Sequence, residues 1–417
     1  MSSATTSTSQ AAEGSPFDAA IFGTLLAVGI VVLLGRKQRV SGCLKANWPC
    51  LIYFGYCLLS VLWSDFPDLA FKRWIKAIGD LVMVLIIATD ADPEAAVGSL
   101  ISRVGMILMP VSILLIRYYE NLGRGYDPDG VVMNTGVTTN KNELGVITLV
   151  LSLGAVWRLL SVLFGKRQPN RSRMLLVRGT MVAFGVAVLA MADSATSVAC
   201  FVLGTVLLLA TYSPMLNRRP RAVHILVVMM LLLGGLLKLL GGQEGVVHAL
   251  GRNSNLTDRT AIWAAVLPVA SNPLLGAGFE SFWVGPRLDK VYSNLSKYMH
   301  INEAHNGYIE VYLNLGWIGV FLVVMILISG YRGVVSAFKR YPAFAGLMLA
   351  YVAAAAVYSI SEAGFRMLDP MWMFLLLAVV CSHRMASSRA SGIVKSGFVQ
   401  KQRGAQMLTS QETASSG

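Results

Sequence analysis

Apolar runs recur along the whole chain, each long enough to cross a bilayer core of about 30 Å as a helix of about 17–25 residues. They fall at 18–34, 46–64, 71–89, 95–117, 143–165, 174–192, 195–213, 223–240, 315–335, 343–361 and 367–382. The pattern predicts about eleven helical spans and an all-α polytopic membrane protein. One long polar insert, 241–314, separates the eighth run from the ninth. The expected organisation is a disordered N-terminus at 1–16, transmembrane helices 1–8 over 17–240, a catalytic loop at 241–314, transmembrane helices 9–11 over 315–384 and a disordered tail at 385–417. No repeat of 20–50 residues is evident.

Composition agrees with the pattern. Of 417 residues, 55% are hydrophobic and 14% charged, with a mean hydropathy of +0.60, whereas a soluble domain carries roughly 25% charged residues. Lys and Arg gather after alternate runs: Arg36, Lys37, Arg39 and Lys45; Lys166, Arg167, Arg171 and Arg173; Arg218, Arg219 and Arg221; Arg332, Lys339 and Arg340; and the tail from Arg384 onward. All five clusters share one side if the runs alternate, and an excess of Lys and Arg marks the cytoplasmic side. The N-terminus and the 241–314 insert then face the periplasm. The first 16 residues lack a basic region followed by a cleavage site, so the first run reads as a retained helix. The net charge of +13 is assigned to anchoring against anionic membrane lipid and not to nucleic acid. Five cysteines without a C-x-x-C pair imply neither a disulfide framework nor a metal cluster.

Six basic residues break the cytoplasmic rule. Lys72, Arg73 and Lys76 open the third run, and Arg117, Arg124 and Lys141 flank the fourth and fifth. A multi-anionic ligand at the outer headgroup level accounts for the set, because guanidinium and ammonium groups bind phosphate by charge-assisted hydrogen bonds. Snorkelling to the membrane edge accounts for any single one. A secondary transporter would instead carry ionisable residues at mid-membrane, where Asp80 and Arg103 are the few candidates.

Within the insert, Asn255 or Thr257 is placed to cap a helix running to about Val269. Arg252 and Arg259 would share one face of a helical segment and form a clamp, or pair with Asp258 or Glu280. NPLLGAG, 272–278, reads as a Pro/Gly turn whose G-x-G is too short for a dinucleotide fingerprint. From Ala304 a helix is expected, with His305, Tyr308 and Tyr312 on one face and Glu303, Asn306 and Glu310 on another. His305 beside carboxylates is a candidate general base, since an imidazole titrates near neutral pH. Asp127-Pro-Asp129 has the D-x-D spacing that holds a divalent ion in some sugar transferases, and a Pro-containing turn explains it equally well. Neither a metal nor a cofactor is expected.

GRNSNLTDRTAIW, then NPLLGAGFESFW and AHNGYIEVYLNLGWIG, resemble the signature loop of the O-antigen ligase and polysaccharide polymerase family, and within it the ExoQ-type exopolysaccharide polymerases. LWSDFPDLAFKRWIK (62–76) and GVTTNKNELG (136–145) resemble the same group. The resemblance runs from about 46 to 382 and implies a GT-C-like membrane glycosyltransferase, with eleven spans here where relatives often have twelve. Its donor would be a glycan on undecaprenyl pyrophosphate, polymerised at the outer face of the bacterial inner membrane or, as a ligase, passed to lipid A-core. His305, Arg259 and Glu303 would be catalytic. Arg252, Arg73, Lys72, Lys141, Asn306 and Tyr308 would bind substrate. A flippase and a chain-length regulator are the implied partners.

Overall fold

Helices occupy ten of the eleven expected spans in the computed structural model, which describes residues 15–126, 130–165, 169–212, 256–295, 301–338 and 340–386. The eighth expected span, 223–240, lies outside the described residues, as do Arg252 and the 127–129 D-x-D. In chain order the helices are α1 (Pro16–Leu34), α2 (Lys37–Ala46), α3 (Trp48–Leu59), α4 (Pro67–Ala88), α5 (Pro93–Tyr118), α6 (Lys141–Leu163), α7 (Arg171–Ala192), α8 (Ala195–Thr211), α9 (Leu256–Val266), α10 (Gly285–Asn294), α11 (Gly307–Phe338), α12 (Pro342–Tyr358) and α13 (Pro370–Ala386). Proline opens α1, α4, α5, α12 and α13, at the helix start where its missing N–H is no loss. Asp92 caps α5 through Ala95 N–H at 3.0 Å, and Asn140 caps α6 through Glu143 N–H at 2.9 Å.

The chain is a multi-pass membrane protein. Five helices, α1, α5, α6, α7 and α11, are long and apolar enough to span a bilayer, and α8, α12 and α13 are shorter apolar helices. The basic α2 meets the next helical arm at a bend of 86°. Leu25, Ile107 and Phe321 stand exposed on the outside of the bundle, whereas Tyr351, Phe344 and Trp372 fill its interior. An antiparallel hairpin of Arg124–Tyr126 with Val132–Asn134 is the one sheet among the described residues and was not legible as strand.

Loop contacts segregate by end. At one end Arg36 meets Asp90 at 3.3 Å and the Ile86 carbonyl at 2.9 Å, Arg384 donates to the Ala88 carbonyl, and Ser329 meets His383 at 2.9 Å. At the other, Asn134 reaches the Met191 carbonyl, Thr196 reaches Ser361, and the insert packs on the loops that precede α4 and α13. Alternating spans require this division.

The described part of the insert has its own small core of Ile262, Val266, Phe282, Trp283, Val291, Ile301 and Leu313. It docks on a break in α11. Gly316 is non-helical there, with φ 63° and ψ −166°, which frees carbonyls that would otherwise bond within the helix. Ala277 and Gly278 donate to the Leu313 and Asn314 carbonyls at 3.0 and 2.8 Å, while Trp317 N–H returns to Pro273 at 2.9 Å. A Cβ on Gly276 or Gly316 would lie 2.4 or 2.2 Å from backbone of the facing segment. Only glycine permits both the positive φ and this approach. The NPLLGAG turn therefore serves as the joint between the insert and the bundle.

Candidate functional site

Three loops meet at the insert end of the bundle: 277–285, 301–306 and 359–369. Glu310, 2% exposed on α11, ties two of them. One carboxylate oxygen accepts from Trp283 Nε1 at 2.6 Å and Asn314 Nδ2 at 3.2 Å, and the other accepts from Ala304 N–H at 2.9 Å. Asn314 Oδ1 in turn accepts from Phe282 N–H at 3.0 Å. Asn306 ties the third loop: its oxygen accepts from the Tyr308 and Ile309 N–H groups, each at 3.0 Å, as an N-cap of α11. Its Nδ2 donates to the Ile360 carbonyl at 2.9 Å, beside Gly307 N–H donating to Ser359 at 2.8 Å.

These anchors assemble a cluster of opposite charges. His305 Nδ1 lies 3.0 Å from Glu303 Oε1 and 3.3 Å from Glu362 Oε2. Arg259 Nη2 sits 2.5 Å from Glu362 Oε1, and Asn142 Nδ2 lies 3.3 Å from Glu362 Oε2. Arg366 spans Glu280 and Glu303, with Nε and Nη1 each at 3.5 Å from a carboxylate. Arg73 donates to the Glu280 carbonyl oxygen. Glu362 is buried, while Glu303 and His305 are each 27% exposed and Arg259 25%. Arg366 is similarly exposed, at 29%.

Electrostatics follow from the geometry. Burial opposes a charge on His305, but the hydrogen bonds and charges of Glu303 and Glu362 outweigh it and hold the pKa at about 10. Burial would raise the Glu303 carboxyl, yet its bond to His305, with Arg366 beyond, leaves it below the ordinary value. Arg366 is likewise penalised by burial and held charged by Glu280, Glu310 and Glu303. At neutral pH His305 is thus an imidazolium with both Nδ1 contacts on carboxylates. The expected carboxylates do stand beside His305, and because two of them face it they raise its pKa above the ordinary imidazole value.

One correction concerns local structure. His305 does not lie on a helix, since α11 starts at Gly307 and residue 305 takes φ +45°. The Asn306 cap ends the helix there, so helical periodicity does not set the face on which His305 lies. Asn306 and Tyr308 are turned to structural partners: Tyr308 donates to the Ala356 carbonyl at 3.0 Å and packs edge-on against Phe365. Lys141 stands at the first position of α6, one residue before Asn142, and Lys72 is exposed beside Arg73 on α4. Arg259 pairs with Glu362.

Glu362 and Arg366 carry the cluster and were not singled out from the sequence. Their signal was present in SEAGFRM, 361–367, where an acid and a base stand in a short link between two apolar runs. Their partners are distant in sequence, and spacing says nothing of that. The donor atoms of Glu303, His305 and Glu362 lie within 4.8 Å of one another, a set of the kind that holds a divalent cation. Arg259 and Arg366 already occupy the same carboxylates, and their charges oppose a further cation.

Residues 180–324 match the family model described as O-antigen ligase. The chain is also similar to the exopolysaccharide production protein ExoQ of Rhizobium meliloti (strain 1021), with 26% identity over 292 residues, 67% of this chain. The match spans 63% of that relative's length. Arg259, Glu280, Glu303, His305 and Glu310 lie within the residues matched by the family model, whereas Arg73, Glu362 and Arg366 lie outside them.

Proposed function

We propose that this chain, which matches the O-antigen ligase family model over residues 180–324 and is similar to an exopolysaccharide production protein, is a GT-C-like membrane glycosyltransferase of the O-antigen ligase and polysaccharide polymerase family. Its substrate is an oligosaccharide repeat unit on undecaprenyl pyrophosphate, polymerised into exopolysaccharide at the periplasmic face of the bacterial inner membrane. The observation that carries the reading is the cluster of Arg259 on α9 with His305 and Glu303 on the loop before α11, at one end of an apolar bundle. Polymerisation is preferred over transfer to lipid A-core because the similar relative is named for exopolysaccharide production. A flippase that delivers the donor and a chain-length regulator are the partners this activity calls for.

In the proposed step the acceptor hydroxyl attacks the anomeric carbon of the donor. A glycosidic C–O bond forms, the C–O bond to pyrophosphate breaks, and the pyrophosphate leaves with the electron pair. Arg259, reinforced by Arg73 and by Lys141 at the start of α6, binds the phosphates and stabilises the charge that develops. The hydroxyl proton passes to Glu303, since His305 already carries its proton. His305 then holds Glu303 in place and offers its Nε2–H, which has no partner among the described residues, to the departing phosphate oxygen. Glu362 is a positioning residue that fixes Arg259 and His305 together.

The test uses purified protein, lipid-linked repeat units and product analysis on gels. Glu303→Gln should slow transfer by about 10²- to 10⁴-fold with donor affinity retained. Near-normal turnover in that variant would remove Glu303 from the reaction.

A further inference from the structure

A separate cavity of about 580 Å³ opens where the loop before α4 meets the insert, lined in part by Asp65, Phe66, Ser271, Pro286, Arg287 and Lys290. Its volume lies in the range of small-molecule sites, about 300–1,000 Å³. Arg287 is built into the wall. Its Nη2 pairs with Asp65 at 2.5 Å, and its guanidinium lies 5.8 Å from the Phe282 ring centroid. Yet its Nη1, like the hydroxyl of Ser271, is buried with no protein partner. Leaving a buried donor unmatched costs about 1–3 kcal/mol, so both atoms call for a ligand or water. Lys290, one turn along α10 from Arg287, makes no ion pair with a described residue.

We propose that this cavity is a subsite for an acidic sugar, a hexose bearing a carboxylate, in the glycan being handled. The inference rests on the glycosyltransferase reading above and names the class of saccharide it selects. Two cations against one carboxylate leave the lining one charge positive, and the start of α10 adds the positive end of a helix dipole. That favours a monoanion. A bare phosphate is a poorer occupant, because its dianionic form exceeds the lining's single net charge and it leaves the apolar wall at Phe66 uncovered. Phe66, whose ring packs against Gly285, supplies the apolar surface on which the C–H face of a pyranose rests. The loop between Glu280 and Arg287 joins this cavity to the charged cluster, so a sugar bound here belongs to a glycan reaching the reacting centre.

The experiment is saturation-transfer NMR on the full-length protein in nanodiscs, with sodium glucuronate, methyl glucoside and inorganic phosphate as probes. Glucuronate should bind saturably and at least about tenfold more tightly than methyl glucoside, and phosphate should not displace it at equal concentration. Arg287→Ala should weaken glucuronate binding by about tenfold or more, as expected for a lost charge-assisted bond. The exposed Lys290→Glu variant, which disturbs no contact, should abolish it. Equal binding of the neutral sugar, displacement by phosphate, or wild-type affinity in Lys290→Glu would each overturn the proposal. If glucuronate binds as expected while lipid-linked donor is never turned over, the transferase reading fails and this subsite stands.

Discussion

Replacing Glu362 by Gln removes one charge from the centre of the cluster while keeping the side chain's shape. His305 rises from an ordinary imidazole value of 6.5 to about 10. At about 1.4 kcal/mol per pKa unit, that is of the order of 5 kcal/mol in favour of the imidazolium. Two carboxylates at nearly equal distances, 3.0 and 3.3 Å, share it. Losing one while the burial penalty stays should therefore remove more than half of the rise and bring His305 down to about 8 or lower. The sign follows from the raised value: the charged imidazole stabilises the native protein fully below about pH 6.5, and this contribution is lost as pH rises through about 10. In Glu362→Gln the loss moves down to about pH 8 or lower. Histidine labelled at Cε1 with ¹³C reports the titration directly, and His305→Gln assigns the resonance among the five histidines. Turnover compared at about pH 7 and pH 9 supplies the functional arm, with the variant losing activity over this interval and the parent protein keeping it. A parent His305 that titrates near 6.5 would refute the reasoning, and the proton acceptor would then be His305 in place of Glu303. An unchanged value in the variant would refute it as well.

Arg259→Lys and Arg259→Ala should both lose most polymer while the protein still accumulates in membranes, because a point charge does not reproduce a guanidinium fork; wild-type polymer yield from Arg259→Ala would take the residue out of the mechanism. Gly316→Ala should cost roughly 2 kcal/mol or more, since it combines a strained positive φ with contact against the Leu274 backbone, read as earlier thermal denaturation in detergent. Glu310→Gln keeps one acceptor oxygen where Trp283 and Asn314 use one and Ala304 N–H the other, so it should cost about 1–3 kcal/mol and speed hydrogen exchange at Trp283 or Ala304. Reporter fusions after Gly285 and after Ser391 should give opposite signals, and identical signals would undo the proposed topology.

The bundle was legible because hydrocarbon imposes a length and a composition on each span, and ten described helices lie where the apolar runs do. The insert's chemistry was legible in part. Arg259, Glu303 and His305 stand out as charges near the ninth span, and the structure brings all three to one cluster. What spacing could not reveal was pairing. Glu362 lies 103 residues from Arg259 and Arg366 lies 64 from Asn302, whose carbonyl it approaches, so only packing of α12 and α13 against the insert unites them. The Asn306 cap was hidden for a different reason: the apolar period of α11 extends smoothly upstream, while a single side chain decides where the helix begins.

Two residues of the cluster, Glu280 and His305, take positive φ without being glycine, at 52° and 45°. Such conformations cost about 1–3 kcal/mol each and persist only where the surroundings enforce them. The surroundings here are specific. On the Glu280 side, Phe279 N–H is held by the buried Ser60 hydroxyl, Gly278 by the Asn314 carbonyl and Phe282 by the Asn314 side chain. On the His305 side, Ala304 is held by Glu310 and Asn306 by the Ile360 carbonyl. Both sets lead back to the stretch of α11 from Glu310 to Gly316. The helix break that admits the NPLLGAG turn, the buried carboxylate that ties the loops and the strained residues that present charge are therefore parts of one arrangement. A change at the break should reach His305 and Glu280 together, through backbone, with no substituted atom touching either.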